Sequence, residues 1–111
     1  MDRLKDRVAI VTGAAQGLGE AIAKRLAEEG CRGVAVADRN IAKAEQVAQQ
    51  ISDTTGCATL AMETDITSEA DVKRLVEQTE LQLGPLDILV ANAGILKAFD
   101  IPSFPRMPGA P

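Results

Sequence analysis

Three glycines near the N-terminus have the spacing of a loop that can hold a phosphate group. The segment "TGAAQGLG", from Thr12 to Gly19, follows an apolar run and precedes a segment of helical periodicity. Gly13 suits the tight turn by which the chain leaves a strand, and Gly17 and Gly19 leave room for a pyrophosphate and for close helix packing. The first amides of the helix, with its positive dipole end, favour a diphosphate. The same glycines also fit an ordinary strand-to-helix turn.

An acidic residue at the end of the next apolar run strengthens the phosphate-loop interpretation. Asp38 follows the start of the helix by about 20 residues, where dinucleotide-binding proteins place an acid on the ribose. Its carboxylate would accept hydrogen bonds from both hydroxyls of the adenosine ribose and repel a 2′-phosphate, so NAD is favoured over NADP. The neighbouring Arg39 leaves alternatives open, because a guanidinium there would bind a phosphate, stack on adenine or lie in solvent.

Four apolar runs predict the strands that position these residues. They are "RVAIVT" (7–12), "GVAVAD" (33–38), "ATLAMET" (58–64) and "LDILVAN" (86–92). The first, second and fourth are nearly continuous, which is typical of strands covered by helices on both faces.

Segments with apolar residues at helical spacing separate the four runs. They begin at Gly17, at Ile41 and at Ser68; Gly30 stops the first, and Gly84-Pro85 ends the third. Alternation of strands and helices predicts an α/β fold, a Rossmann-type doubly wound parallel sheet that is truncated after the fourth strand. We expect one domain over residues 1–98 and an irregular, proline-rich tail over 99–111.

Composition excludes several classes of function. The chain has 111 residues and a formal net charge of -4, whereas nucleic acids and anionic membranes select basic surfaces. No apolar stretch approaches the roughly 20 residues of a membrane span, and the N-terminus is neither a signal peptide nor a transit sequence. Cys31 and Cys57 lack CxxC spacing and the chain has no His, so we expect no metal site and two reduced cysteines in a cytoplasmic protein.

Several motifs in order resemble one protein family, the short-chain dehydrogenases/reductases. The loop "TGAAQGLG" resembles the family's TGxxxGxG motif, and "ETDITSEADV" looks like its third-strand acid and helix start. The segment "LDILVANAGI" is similar to its fourth-strand NNAG motif, with Ala91 in place of the first Asn. The resemblance runs from about Arg7 to Ile95, and it implies a nicotinamide dinucleotide cofactor.

For the glycine loop and the second strand, the resemblance assigns contacts at three positions. Gln16 and Leu18 would contact the pyrophosphate and a ribose, and Asp38 would hold the adenosine ribose.

At the third and fourth strand ends it assigns further contacts. Asp65 would bond the adenine amino group, and Ile66 would offer its backbone amide to the ring. Asn92, Ala93 and Gly94 would line the ribose side of the cofactor. Asp65 also fits a simple cap before the third helix, and the other three also fit a strand-end turn.

The family's hydride transfer requires a Tyr-x-x-x-Lys pair that this chain does not contain. The Tyr exchanges a proton with the substrate hydroxyl, and the Lys lowers the pKa of that Tyr. The chain has neither Tyr nor His, so no catalytic residue is predicted. Family members are about twice as long, and we therefore expect a cofactor-binding half that is catalytically incompetent alone. An alcohol or carbonyl substrate would bind only the complete enzyme.

Two other functions remain open from the sequence. One is a non-catalytic dinucleotide-binding or interaction protein that self-associates, or pairs with a full-length relative, through the exposed edge of the fourth strand. The other is a methyl-donor-binding Rossmann protein, which is disfavoured because its loop usually carries an acid where this chain has Val11-Thr12.

Overall fold

Three strand–helix units and a fourth strand make up the structure, a computed structural model that describes residues 4–92. The elements are β1 (Val8–Thr12), α1 (Gly17–Glu28), β2 (Gly33–Asp38), α2 (Ile41–Thr55), β3 (Ala58–Glu63), α3 (Glu69–Gln82) and β4 (Ile88–Val90). The predicted α/β class is confirmed. The proline-rich segment 99–111 lies outside the described residues.

All strands are parallel and stand in the order β3-β2-β1-β4. The chain therefore moves outward from β1 through β2 to β3, and then crosses back to the other side of β1. The strand order reverses between β1 and β4, and in such sheets the crevice at the carboxyl ends of the strands is where ligands bind.

Apolar cores lie on both faces of the sheet. Helices α1 and α2 cover one face, where small and branched side chains such as Val11, Val36 and Ile51 are buried. Helix α3 covers the other face, with Ile10 and Leu75 fully buried. Burial on both faces explains the continuous apolar runs of β1 and β2, in which only Asp38 is not buried.

Strand β4 is shorter at both ends than the predicted 86–92, and at its start a side-chain oxygen takes the place of one backbone acceptor. The N–H of Asp87 donates to the carbonyl of Val8 at 2.9 Å, while the N–H of Val8 donates to the Asp87 carboxylate at 2.9 Å. The guanidinium of Arg7 lies 3.5 Å from the other carboxylate oxygen. Regular pairing with β1 therefore begins only at Ile88.

The two cysteines are free and buried at the amino ends of β2 and β3. The thiol of Cys57 donates to the carbonyl of Cys31 at 3.2 Å. Burial, with smaller contributions from the neighbouring Cys57 and Asp87, raises the pKa of Cys31 to about 11. Burial also raises the pKa of Cys57. Both thiols therefore behave as packing groups.

Within residues 4–92, no helix has the length and apolarity needed to cross a membrane.

Candidate functional site

A cleft at the carboxyl edge of the sheet brings together residues that follow all four strands. Its volume is about 690 Å³. It is lined by Gly13, Gln16, Gly17, Ala37, Asp38, Arg39, Thr64, Asp65, Ile66, Thr67 and Asn92. Eight of the twelve residues that the sequence singled out therefore lie at one place: Gly13, Gln16, Gly17, Asp38, Arg39, Asp65, Ile66 and Asn92.

Backbone geometry makes glycine necessary at two positions of the loop. Gly13 and Gly17 have φ of 64° and 60°, in the left-handed region that side chains disfavour. At Gly17 an added Cβ would have no atom within 4 Å, so the space above this residue faces the open cleft. The loop thus presents bare backbone to the cleft.

Gly19 is constrained by packing instead. It is buried in the first turn of α1, where a Cβ would collide with the carbonyl oxygen of Gly13 and lie 2.7 Å from Nδ2 of Asn92. The absence of a side chain therefore lets the helix start rest directly on the loop and on the end of β4.

The N-terminus of α1 opens toward the cleft. Its N-cap residue, Gln16, is exposed and makes no side-chain hydrogen bond to the helix amides. Such amides, together with the helix dipole, attract an anion. Leu18, on the same turn, is 67% exposed and is not among the residues that line the cleft.

The carboxylate of Asp38 is held from two sides. One oxygen accepts a hydrogen bond from the N–H of Ala15 at 3.2 Å, and the other accepts from the N–H of Asn40 at 2.9 Å. Asn40 is itself the N-cap of α2, since its side chain accepts from the N–H of Lys43. The acid at the end of β2 thus bonds both the glycine loop and the start of the next helix. The sequence did not predict this arrangement.

Asp65 lies in the cleft and also closes the turn before α3. One oxygen accepts from the N–H of Thr67 at 2.9 Å and from its hydroxyl at 2.6 Å. These bonds, aided by the positive charge of Arg39, hold the pKa of Asp65 below its usual value. The carboxylate therefore stays ionised at neutral pH.

Ser68 and Asp71, at the start of α3, have the three-residue spacing of a capping box, and this box forms only in part. Ser68 caps the helix by accepting from the N–H of Asp71 at 3.2 Å. The carboxylate of Asp71 does not return to Ser68 but accepts from the N–H of Asp65 at 2.9 Å. Helix α3 thereby positions the backbone of the cleft acid, a contact between residues six positions apart that sequence reasoning missed.

Thr12 connects the ends of β1 and β4. Its hydroxyl donates to the carbonyl of Val90 at 3.3 Å and accepts from the N–H of Asn92 at 2.9 Å. Sequence reasoning missed Thr12 as a residue that supports the site, although a hydroxyl residue at the end of an apolar run was a signal. Ala93 and Gly94, the remaining predicted site residues, lie outside the described residues.

No cluster suited to a metal occurs in the part of the chain that the structure describes: residues 4–92 contain no group of three or more His, Cys, Asp or Glu side chains placed to hold a metal ion.

Comparison with known proteins identifies one family. The family model of short chain dehydrogenases matches residues 7–107. A cis-4-hydroxycyclohexanecarboxylate dehydrogenase of Sinomonas cyclohexanicum is 46% identical over 91 residues, which are 81% of this chain and 35% of that protein.

The solved structures that resemble this chain are also dehydrogenases. A hydroxysteroid dehydrogenase from Escherichia coli superposes with a TM-score of 0.78 at 40% identity, over 83% of this chain and 38% of that one. A 7α-hydroxysteroid dehydrogenase complexed with NADH and 7-oxo glycochenodeoxycholic acid gives a TM-score of 0.74 at 38% identity, over 78% and 33% of the two chains. The chain thus spans between about a third and two fifths of the length of these proteins.

Proposed function

The chain belongs to the short-chain dehydrogenase family, and we propose that it binds a nicotinamide adenine dinucleotide in the cleft at the carboxyl ends of its strands. One observation carries the proposal: a bare glycine loop, an uncapped helix start and two carboxylates face the same cleft. The loop and the helix start suit the diphosphate of a dinucleotide, and the two carboxylates suit its ribose and its adenine. The NADH in a related dehydrogenase supports the same class of cofactor.

The residues of the cleft fit the adenosine diphosphate part of such a cofactor. Gly13 and Gly17 expose backbone where a side chain would obstruct a diphosphate, and the start of α1 supplies amide donors. Asp38 would accept from the ribose hydroxyls. Asp65 and the amide of Ile66 would meet the adenine edge, across the cleft from the glycine loop. When bound, the nicotinamide ring supplies the hydride acceptor or donor of the family's reaction.

We propose NAD as the preferred form. Asp38 places a carboxylate beside the expected ribose. The 2′-phosphate of NADP would bring a second negative charge next to it, and such a like-charge contact costs several kcal/mol. Arg39 works in the opposite direction, because a guanidinium attracts a 2′-phosphate. The positive charge of Arg39 also acts on the carboxylate of Asp65, which lines the same cleft, so this charge is partly neutralised within the site.

For a complete protein of this family we propose hydride exchange between the cofactor and an alcohol or carbonyl substrate. The 111 residues alone contain no Tyr and no His to carry the hydroxyl proton, and a positioned general acid or base contributes about 100- to 10,000-fold. We therefore propose that this polypeptide binds the cofactor without turning over substrate. Mixing it with NADH and a panel of ketones should give no loss of absorbance at the wavelength of the reduced ring. Turnover by protein free of longer relatives would contradict this.

A second function, association through the sheet edge, is favoured by β4. Its three residues, Ile88–Val90, are each only half-buried, and within residues 4–92 the strand pairs with β1 alone. We propose that this edge pairs with a second copy or a longer relative. Light scattering over a range of concentrations should show a dimer that weakens when Leu89 is replaced by Lys, which gives an edge a repelling charge. A monomer at all concentrations would exclude association between copies.

We also propose a cytoplasmic location, because Cys31 and Cys57 are free, buried thiols. Fractionation of cells that express a tagged chain tests it, and recovery from a secreted fraction would contradict it.

The main test is calorimetric titration of the folded 111-residue chain with NAD, NADH and NADP. We expect both NAD forms to bind and NADP to bind at least about ten-fold more weakly, from the like-charge cost at Asp38. A folded chain that binds none of the three would overturn the proposed function, and equal affinities would overturn the preference for NAD.

A further inference from the structure

Asp38 makes contacts that a purely ribose-binding acid would not need. We propose that it is a positioning residue for the glycine loop, so that recognition of the ribose and of the diphosphate are coupled through one carboxylate. This inference rests on the proposed function and specifies how its site works.

The loop is attached to β2 by two successive amides. The N–H of Ala14 donates to the carbonyl of Ala37 at 3.1 Å, and the N–H of Ala15 donates to the carboxylate of Asp38 at 3.2 Å. Both loop alanines are buried, with exposures of 0% and 3%. A buried N–H without an acceptor costs free energy, so the carboxylate of Asp38 holds the loop against β2. The adjoining Gly13 is thereby kept in its left-handed conformation.

The second oxygen of Asp38 fixes the direction of the carboxylate. It accepts from the N–H of Asn40 at 2.9 Å, at the start of α2. With one oxygen on the loop and the other on the helix, the group cannot turn without breaking a hydrogen bond. Its orientation is therefore set before any ligand arrives, which reduces the entropy lost on binding.

A count of acceptor sites shows that this role is compatible with ribose binding. An ionised carboxylate offers about four lone-pair sites, and the two backbone amides occupy two of them. Two sites remain, one for each hydroxyl of the ribose diol. The same group can thus hold the loop and bind the sugar at once.

Coupling of this kind predicts that Asp38 affects the binding even of ligands that lack the ribose diol. ADP and 2′,3′-dideoxy-ADP share adenine and diphosphate and differ only in the two ribose hydroxyls. If Asp38 bound the ribose alone, its removal would weaken the binding of ADP and leave the binding of the dideoxy compound unchanged. If Asp38 also positions the loop, its removal must weaken the binding of both ligands, because the loop that receives the diphosphate is no longer held.

The experiment titrates both ligands into the full chain and into Asp38→Ala and Asp38→Asn. Asparagine keeps the size of the side chain but turns an N–H₂ donor toward one of the two amides, so Asp38→Asn remains informative if Asp38→Ala does not fold. Glu45→Gln is the matched control, because Glu45 is an exposed acid on α2 that does not line the cleft. Hydrogen exchange of the Ala15 amide is followed by NMR in the ligand-free proteins.

For Asp38→Ala we expect dideoxy-ADP affinity to fall about ten-fold, the usual worth of one hydrogen bond to a charged group, with a larger fall for ADP. The Ala15 amide should exchange faster in both Asp38 variants, while Glu45→Gln stays within about two-fold of the parent chain. Unchanged dideoxy-ADP affinity together with unchanged Ala15 exchange would overturn the positioning role. An unmodified chain that binds neither NAD nor ADP would overturn the proposed function instead, and the two failures are therefore distinct.

Discussion

Replacing Gly19 by alanine tests whether the helix start must rest directly on the glycine loop. A Cβ at this position would lie 2.7 Å from Nδ2 of Asn92 and 2.8 Å from the carbonyl carbon of Gly13. An ordinary contact begins at 3.4 Å, so the helix start must retreat by at least about 0.7 Å, because the carbonyl oxygen of Gly13 is closer still. The obstructing atoms at Gly13 belong to the backbone and cannot turn aside.

That retreat is large enough to break a bond to the cofactor. An amide-to-phosphate distance of about 2.9 Å would become about 3.6 Å, which no longer qualifies as a hydrogen bond. Loss of one bond to a charged group costs about 1.5–3 kcal/mol, or ten- to a hundred-fold in affinity for NAD. Folding is affected less, because overpacking costs about 1–3 kcal/mol while alanine gains about 1 kcal/mol over glycine within a helix.

Calorimetry with NAD measures the affinity, and urea denaturation followed by circular dichroism measures the free energy of unfolding. Gly33→Ala is the matched control, because its Cβ would meet the side chain of Leu83 at 3.0–3.2 Å, at the amino end of the sheet and away from the cleft. It should lose stability and keep its affinity for NAD. Folded Gly19→Ala that binds NAD as the parent chain does, or Gly33→Ala that loses as much affinity, would show that the close approach at Gly19 does not position the helix start for NAD.

Four further predictions concern the support of the cleft and the buried thiol of Cys31. Thr12→Val should lower the free energy of unfolding in urea by about 1–3 kcal/mol, since the Asn92 N–H loses its acceptor, and an unchanged value would contradict the contact between them. Ser68→Ala should cost about 1 kcal/mol in the same assay by removing the N-cap of α3, whereas a loss below the error of the measurement would discount the cap. Cys31 should resist alkylation at pH 8 until urea unfolds the chain, and modification of the folded protein would show that the thiol is accessible. Because folding raises the pKa of Cys31 from 9.0 to about 11, its contribution to stability is complete below pH 9 and is lost as pH rises toward 11, which unfolding at a series of pH values can follow against Cys31→Ala.

Sequence reasoning predicted the elements and their common edge better than the contacts made there. Apolar runs and helical periodicity depend on burial of whole faces, and they placed β1, β2 and the three helices within a few residues. The length of β4 depends on the carboxylate of Asp87, which meets a strand far away along the chain. The carboxylate of Asp71 bonds the amide of Asp65 and not the amide of Ser68. Periodicity carries no information about such contacts.

Asp38 illustrates the same limit. Its type and position predicted a cleft residue, and the structure places it in the cleft. Its bonds to the Ala15 and Asn40 amides could not be predicted, because both require the loop and the start of α2 to be folded around the acid.

The strand order also has a consequence for the way the chain reaches its fold. Contacts that join the loop to β2 link residues 23 positions apart, while those that join β4 to β1 link residues 79 positions apart. Closing the longer segment costs about 1 kcal/mol more in chain entropy, and three paired residues offer little to offset it. During synthesis β1, β2 and β3 emerge first and can assemble with α1 and α2 while β4 is still within the ribosome. We therefore expect the glycine loop and Asp38 to form early, and Asn92 to join them only when the last strand docks.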